Sequence, residues 1–524
     1  MISKIGVEDN ENITGLAPIP KRKSASENPS FKGGVWPILL QGIQECEKNP
    51  MINVAVIDMF SAILPRTFVE SLTNWFAGFE ALRRESSGLI VNCLIPSWIT
   101  YGGAICLNKF IMPKNTNMAP CWADTNLIEY AKETYTKSEA ADKTADTIKT
   151  MFKNIEGFDG KNEKTKFSSL LSEEEINKYT EQFRKLTEKD YGRKDLEKEV
   201  DKIVKEVAAK THIYENIKVS GNVEVGASTV STLMQDTIRF LHEFNKNQKS
   251  EYKLSMEEFA KKSKKLVRSK SGVGLAIVLP LAASMQFINR WITSKLSGVK
   301  GAPIYEDYGQ ETNHENELKA KKGLLKQKVI SITSMITVGL LSMMKKPSLN
   351  MLEFKGIFPT MDQARIISTT TFASRMAAAD DKNELRESTV RDIATFLSLY
   401  FLGDYAAKAA ATIIEKRTDV KLLNDTKKID KNANAAKKFW HWFKDVKLKS
   451  SEEVVGKNAV NLRSACQLAN LGVSLILLGL IIPIFTRKDT KKRHAKAMQI
   501  AQQNSSYNTA MTASTRGAAT SSCA

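Results

Sequence analysis

The residues best suited to chemistry in this chain are carboxylates and guanidiniums spaced four apart, beside or inside apolar stretches. Arg66 with Glu70, Glu80 with Arg84, and Glu387 with Arg391 all stand at i,i+4, the spacing that lets opposite charges meet along one helix surface. Arg83, Arg84 and Glu85 precede an uncharged block. Arg386, Glu387, Arg391 and Asp392 close the stretch RMAAADDKNELRESTVRD, half of whose side chains are formally charged. The apolar segment that follows takes in Asp404 and Lys408, again i,i+4, and Asp58 interrupts an earlier apolar helix. An acid in apolar surroundings is costly unless it is paired, which makes these groups candidates for a structural or gating role. Because both signs are present, the expected mates are protein groups: attraction to anionic lipid would need only Lys and Arg. The expectation is a multiply paired helical collar at a membrane boundary, with Lys408 or a facing donor serving Asp404.

Signatures of other chemistry are missing. There is no G-x-x-x-x-G-K-[ST], no G-x-G-x-x-G, no G-x-S-x-G and no H-E-x-x-H. The six cysteines show no C-x-x-C spacing and the five histidines are scattered, so the thiols read as structural and no catalytic residue, cofactor or metal is expected. A net charge of +19 calls for an anionic partner. The basic runs KKSKKLVRSK and RKDTKKRH adjoin apolar blocks and lack interleaved aromatics, which points to anionic lipid and away from nucleic acid.

The elements that must hold these groups are helices. Five apolar blocks stand out, at 86–108, 271–289, 329–344, 393–414 and 468–486, and most are closed by Lys or Arg. The stretch 35–64 reads as two shorter helices divided near Pro50 and too interrupted to cross a bilayer alone. The fold class expected is mainly α: a polytopic helical membrane protein with a soluble helical insert and a two-half internal repeat.

The organisation expected is a disordered lead at 1–30, a first membrane-associated helical region at 31–112, and a soluble, mainly helical insert at 113–270. An apolar helix pair follows at 271–345, then the collar with its apolar helix at 346–417 and a basic polar linker with a helix at 418–467. A C-terminal apolar helix at 468–486 leads into a basic, then Ser/Thr/Ala-rich tail at 487–524.

Within the insert, Leu196, Val200, Ile203 and Val207 recur at near-helical spacing and read as an apolar partner-binding stripe. Short strands are expected at 217–225. The repeat rests on three words in the same order: FKGG, ILPRTFVES and LRRESS near the start, and FKGI, IISTTTFAS and LREST later. The function these features imply is a membrane scaffold or assembly component that contacts other protein subunits. A channel or secondary transporter is the alternative, with a lipid-modifying enzyme behind it. The positive-inside rule puts the basic segments on the cytoplasmic side.

Overall fold

A computed structural model describes residues 50–486, apart from 73–74, 160–162, 216, 220–228, 298–313, 344–351, 357, 381, 426–432, 451–452 and 455–456, together with a few isolated positions outside that span. The N-terminal lead, the first FKGG word and almost all of the C-terminal tail lie outside the described residues, as does the remainder of the expected strand segment beyond Val219.

The described chain is mainly helical, and five helices are long and apolar enough to cross a membrane: Met51–Ser71, Trp75–Ile111, Met256–Leu296, Gly323–Met343 and Asn458–Thr486. Four of them contain expected blocks. The exception is 393–414, which does not qualify; Met51–Ser71, read from sequence as too interrupted, qualifies instead. Prolines explain part of the difference. Proline lacks an N–H and crowds the carbonyl four residues back. Here π-helical turns at Met59–Ile63, Ile90–Leu94 and Leu475–Ile481 each end two residues before a proline, Pro65, Pro96 and Pro483, so the helix continues past it.

The insert hangs between two of these helices. Trp75–Ile111 leads into it, and the helix Met256–Ser297 leads out without a break at 270, where a domain boundary was expected. Its first turns, through Met256, Phe259, Leu266 and Val267, belong to the insert core. Between them lie helices at Thr125–Lys137, Lys143–Lys153, Glu173–Leu186, Arg193–Thr211 and Val230–Gln248. Their starts follow from local chemistry: Asp124 accepts from the Leu127 amide at 2.7 Å, and Ser172 with Glu175 forms a reciprocal capping box. A three-stranded antiparallel ribbon places Ile155–Phe158 between Lys164–Lys166 and Lys218–Val219, with Glu156 opposite Lys166 and Ile155 opposite Val219. Phe152 meets Phe167, Tyr179 and Phe183 at ring separations of 5.0, 6.1 and 5.8 Å in the centre of the core.

The stripe Leu196, Val200, Ile203 and Val207 is not a free surface: all four side chains are buried in this same core. The spacing was real, but the insert consumes it. Ile203→Val should therefore lower the insert's unfolding free energy by about 0.5–1.5 kcal/mol, measured by denaturant titration of the full chain; an unchanged midpoint would mean that the stripe packs against nothing.

After Gly323–Met343 come helices at Met361–Ala378 and Lys382–Leu397, the latter continuing through a π-helical turn at Ser398–Leu402 into Gly403–Arg417. The expected linker at 418–467 is folded where it is described. Leu423–Asp425 pairs antiparallel with Val446–Leu448 around the helix Ala435–Asp445, and Leu422, Leu423 and Val454 pack against Ala407, Ala411 and Cys466.

Candidate functional site: a buried charge network between helices

Between apolar clusters such as Met51, Met335, Phe372, Met376 and Phe396, the helix bundle buries a set of charges. Arg66, Glu85, Arg375, Arg391 and Asp392 are all buried, on four helical segments that the sequence separates by up to about three hundred residues. Glu85 is the hub. One of its carboxylate oxygens lies 3.5 Å from the Arg66 guanidinium and 3.4 Å from that of Arg84, while the other lies 3.0 Å from Arg375. Arg375 passes the chain of charges on to Asp392 at 3.3 Å, and Arg391 adds a second contact to the same carboxylate oxygen at 3.2 Å. Arg66 also donates to the Thr395 hydroxyl at 2.7 Å, which closes the circuit between the first and last of these segments. Asp58 stands within electrostatic range of Arg66, Glu85 and Arg375.

One local feature makes room for this. Gly88 lets the Arg375 guanidinium approach, since a Cβ there would come within 3.0 Å of its terminal nitrogen. The helix Met361–Ala378, which begins at a capping box of Thr360 and Gln363, carries Arg375 near its C-terminal end, buried. Around the charges lie paired polar groups: Thr371 donates to Asn92 at 2.9 Å, Ser368 meets Tyr400 at 2.9 Å, and Asn289 donates to Ser87 at 2.8 Å.

The expected charges thus divide. Asp58, Arg66, Arg84, Glu85, Arg391 and Asp392 gather at the network. Arg66 reaches across to Glu85, away from its i+4 neighbour Glu70, which is half-buried elsewhere on the helix; the packed faces put a neighbouring helix closer than the next turn. Arg83 donates to the Asn289 carbonyl at 2.9 Å and to Thr293. Arg386 pairs with Asp489 at 3.3 Å, and Glu387 lines the same small cleft beside Phe485. Lys408 turns from its own helix toward Ala435–Asp445: its ammonium lies 4.6 Å from the Trp442 ring centre and donates to the Phe443 carbonyl at 3.2 Å. Asp404 is exposed at the start of that helix.

Arg375 was not singled out from sequence, although it is the one charge in the run IISTTTFASRMAAA, and a lone charge in an uncharged helix is a readable signal. Arg290 was also passed over; it binds both Asp380 and Glu384 and ties Met256–Ser297 to the charged stretch. Arg391→Ala should lower stability by about 1.5–3 kcal/mol, because it removes charged hydrogen bonds while Arg375 still serves Asp392. The fair comparison is exposed Lys265, since Lys264 pairs with Glu129. Equal melting temperatures for Arg391→Ala and Lys265→Ala in detergent would refute this.

The insert is pinned to the bundle at a second polar cluster. Lys270, fully buried, donates to the Cys121 carbonyl at 2.6 Å, and its ammonium lies 4.1 Å from the centre of the Trp122 ring. Glu353 accepts from the Thr125 amide at 3.0 Å and its hydroxyl at 2.9 Å, Lys355 pairs with Asp124 at 3.1 Å, and the Phe354 amide donates to Ser271 at 3.0 Å. Burial pushes the Cys121 thiol up to about 12, so it remains a neutral packing group.

Among the described residues one group has metal-type ligand atoms converging, Asp190, His242 and Glu243, all within 4.8 Å. It is already compensated: Lys246 lies 3.2 Å from Asp190, the Asn117 amide donates to Glu243 at 2.7 Å, and His242 Nδ1 meets the Thr187 carbonyl at 2.8 Å.

Comparison of the chain with protein-family models, curated proteins and solved structures found no match.

Proposed function

We propose that this chain is an integral membrane scaffold or assembly component, its helix bundle embedded in lipid and its insert presented to other protein subunits. The observation that carries the reading is an inverted distribution of side chains. Outward positions on the bundle hold Trp75, Phe110, Trp98, Leu341 and Phe485 at 80, 86, 72, 61 and 59% exposure, while the arginines and acids lie between helices. In the insert, Leu170 and Tyr252, at 36 and 66%, are the only exposed large apolar side chains among the described residues. A water-soluble fold would hide the former and solvate the latter; lipid as solvent favours the reverse for the bundle alone.

The network supports a scaffold because its acids already face guanidiniums, which makes it a lock between helices. The second reading, a channel or secondary transporter, draws on one atom: Asp392 Oδ2 is buried with no hydrogen-bond partner. The basic flanks, by the positive-inside rule, would put the insert's neck on the cytoplasmic side.

The test has two parts. The full-length chain should stay with membranes through alkaline carbonate washing, and liposomes reconstituted with it should remain impermeable to protons and small ions. Recovery of folded, monodisperse protein without detergent would overturn membrane integration. An ion flux abolished by Asp392→Asn or Asp404→Asn would overturn the scaffold in favour of transport.

A further inference from the structure

The helix Ala435–Asp445, AAKKFWHWFKD, contains no buried residue. Its Asn434 cap accepts from the Lys437 amide at 2.9 Å, so it is a defined helix, and its surroundings explain only one side of it. On that side the Trp442 indole donates to Thr412 at 3.0 Å, Phe443 stacks on Tyr405 at 4.4 Å between ring centres, and His441 faces Asp425 at 2.8 Å. Phe439 and Trp440 point away from the protein at 62 and 61% exposure, and Phe443, seated on Tyr405, stands at the border between the two sides at 37%. Positions 439, 440 and 443 share one helical face, while Lys437, Lys438 and Lys444 are exposed around it.

We infer that Ala435–Asp445 is an in-plane foot that lies on an anionic lipid surface, its aromatic face at the acyl boundary and its three lysines among the headgroups. This rests on the membrane reading above and adds a specific contact to it. Two observations select lipid over a protein partner. The helix it is stacked on, Gly403–Arg417, presents Ile413 outward at 53% exposure, and Leu402, at the end of the π-helical turn that leads into it, is exposed at 47%, so the aromatic face continues the apolar girdle of the bundle. Trp and Phe flanked by Lys are also the composition that settles at the headgroup level, where rings and ammonium groups are both satisfied. Lys408, clamped between Tyr405 and Trp442, holds the foot at its angle.

The experiment uses the full-length chain in nanodiscs of phosphatidylglycerol or of phosphatidylcholine, with amide exchange read over 435–445, alongside carbonate extraction of native membranes. Exchange should be slower in the anionic discs. The variant K437E/K438E/K444E should lose that protection by about a hundredfold, from roughly fivefold per lysine. A second variant, Phe439→Ser with Trp440→Ser, leaves the inner contacts of Trp442 and Phe443 in place and should lose protection in both lipids. If the chain withstands carbonate but exchange over 435–445 is the same in both discs, the foot is refuted while membrane integration stands. If the chain is released by carbonate, the membrane reading fails and the foot with it. Protection that appears in detergent alone and grows with protein concentration would assign the face to a second copy and overturn the lipid proposal.

Discussion

Replacing Glu85 with Ala should lower the stability of the detergent-solubilised protein by roughly 3–5 kcal/mol. Glu85 is the carboxylate that Arg66, Arg84 and Arg375 share, and its removal strips buried Arg66 of the carboxylate it touches and leaves Arg375 with Asp392 alone. Taking charges out of water is expensive, and that expense is offset only while the partner remains; a truncated pair therefore loses far more than its net contribution when intact. The matched control is Glu133→Ala. Its contact with Lys137 is largely exposed, at 3.4 Å, and such pairs contribute about 0–1 kcal/mol. Thermal and denaturant unfolding of both variants decides the matter. Similar shifts for Glu85 and Glu133 would mean that water reaches the network and that it does not lock the helices. Combining Glu85→Ala with Arg66→Ala should recover part of the loss, since the second change removes the stranded guanidinium.

Lys270→Ala should weaken the attachment of the insert by about 2–5 kcal/mol, summing a charged hydrogen bond, a cation–π contact and the cavity left by the stem. The effect should be local. Amide exchange around Pro120–Trp122 should accelerate while the core near Phe152 keeps its protection. Lys270→Met refills most of the volume and should recover the packing part alone. Lys261, exposed on the same helix, is the control. If Lys270→Ala and Lys261→Ala exchange alike at Pro120–Trp122, the clamp does not exist.

The clamp also shows where the sequence was readable and where it was not. KKSKKLVRSK reads by composition as a solvated run facing lipid headgroups. On a helix, however, Ser263, Leu266, Val267 and Lys270 fall at i, i+3, i+4 and i+7, and these four are buried while Lys261 and Lys265 stay outside. The periodicity was present; only the partner, the Cys121 carbonyl about 150 residues earlier in the chain, was invisible. The same holds for the charge network. Its acids and most of its arginines were identifiable because charges beside apolar blocks are rare, and mates on facing protein groups were expected beside the i,i+4 pairs, but which groups would mate was not legible. Pairing across helices depends on packing, which no single segment encodes. The insert's helices were legible, including the break near Gly192, because their caps and stripes are local. That the stripe at Leu196–Val207 faces inward was not legible, because periodicity gives a face without saying what covers it.

The two-half repeat expected from the sequence is not confirmed by the structure. Trp75–Ile111 and the helix running from Lys382 to Arg417 each follow a break and each carry a five-residue π-helical turn near their middle. The matching words do not sit at matching distances from those breaks: Phe68 lies three residues before the end of its helix and Phe372 six, while Leu82 lies seven residues into its helix and Leu385 three. Similar letters therefore occupy positions about one turn apart.

The two helices of the insert's neck have a mechanical consequence. Helices bend where the hydrogen-bonded ladder is interrupted. The neck's interruptions, the π-helical turn at Ile90–Leu94 with Pro96 on one helix and Pro280 on the other, lie at one level, because Val91 and Ile95 pack in the same cluster as Val278, Leu279 and Ala282. Above that level both helices run unbroken into the insert, where Gly274 admits the Thr100 side chain and locks them together. The neck thus has its ladder interruptions within the bundle, and between them and the insert both helices are continuous. A force applied to the insert would first meet an interrupted ladder at Val91 and Val278, beside Ile367 of the helix that carries Arg375.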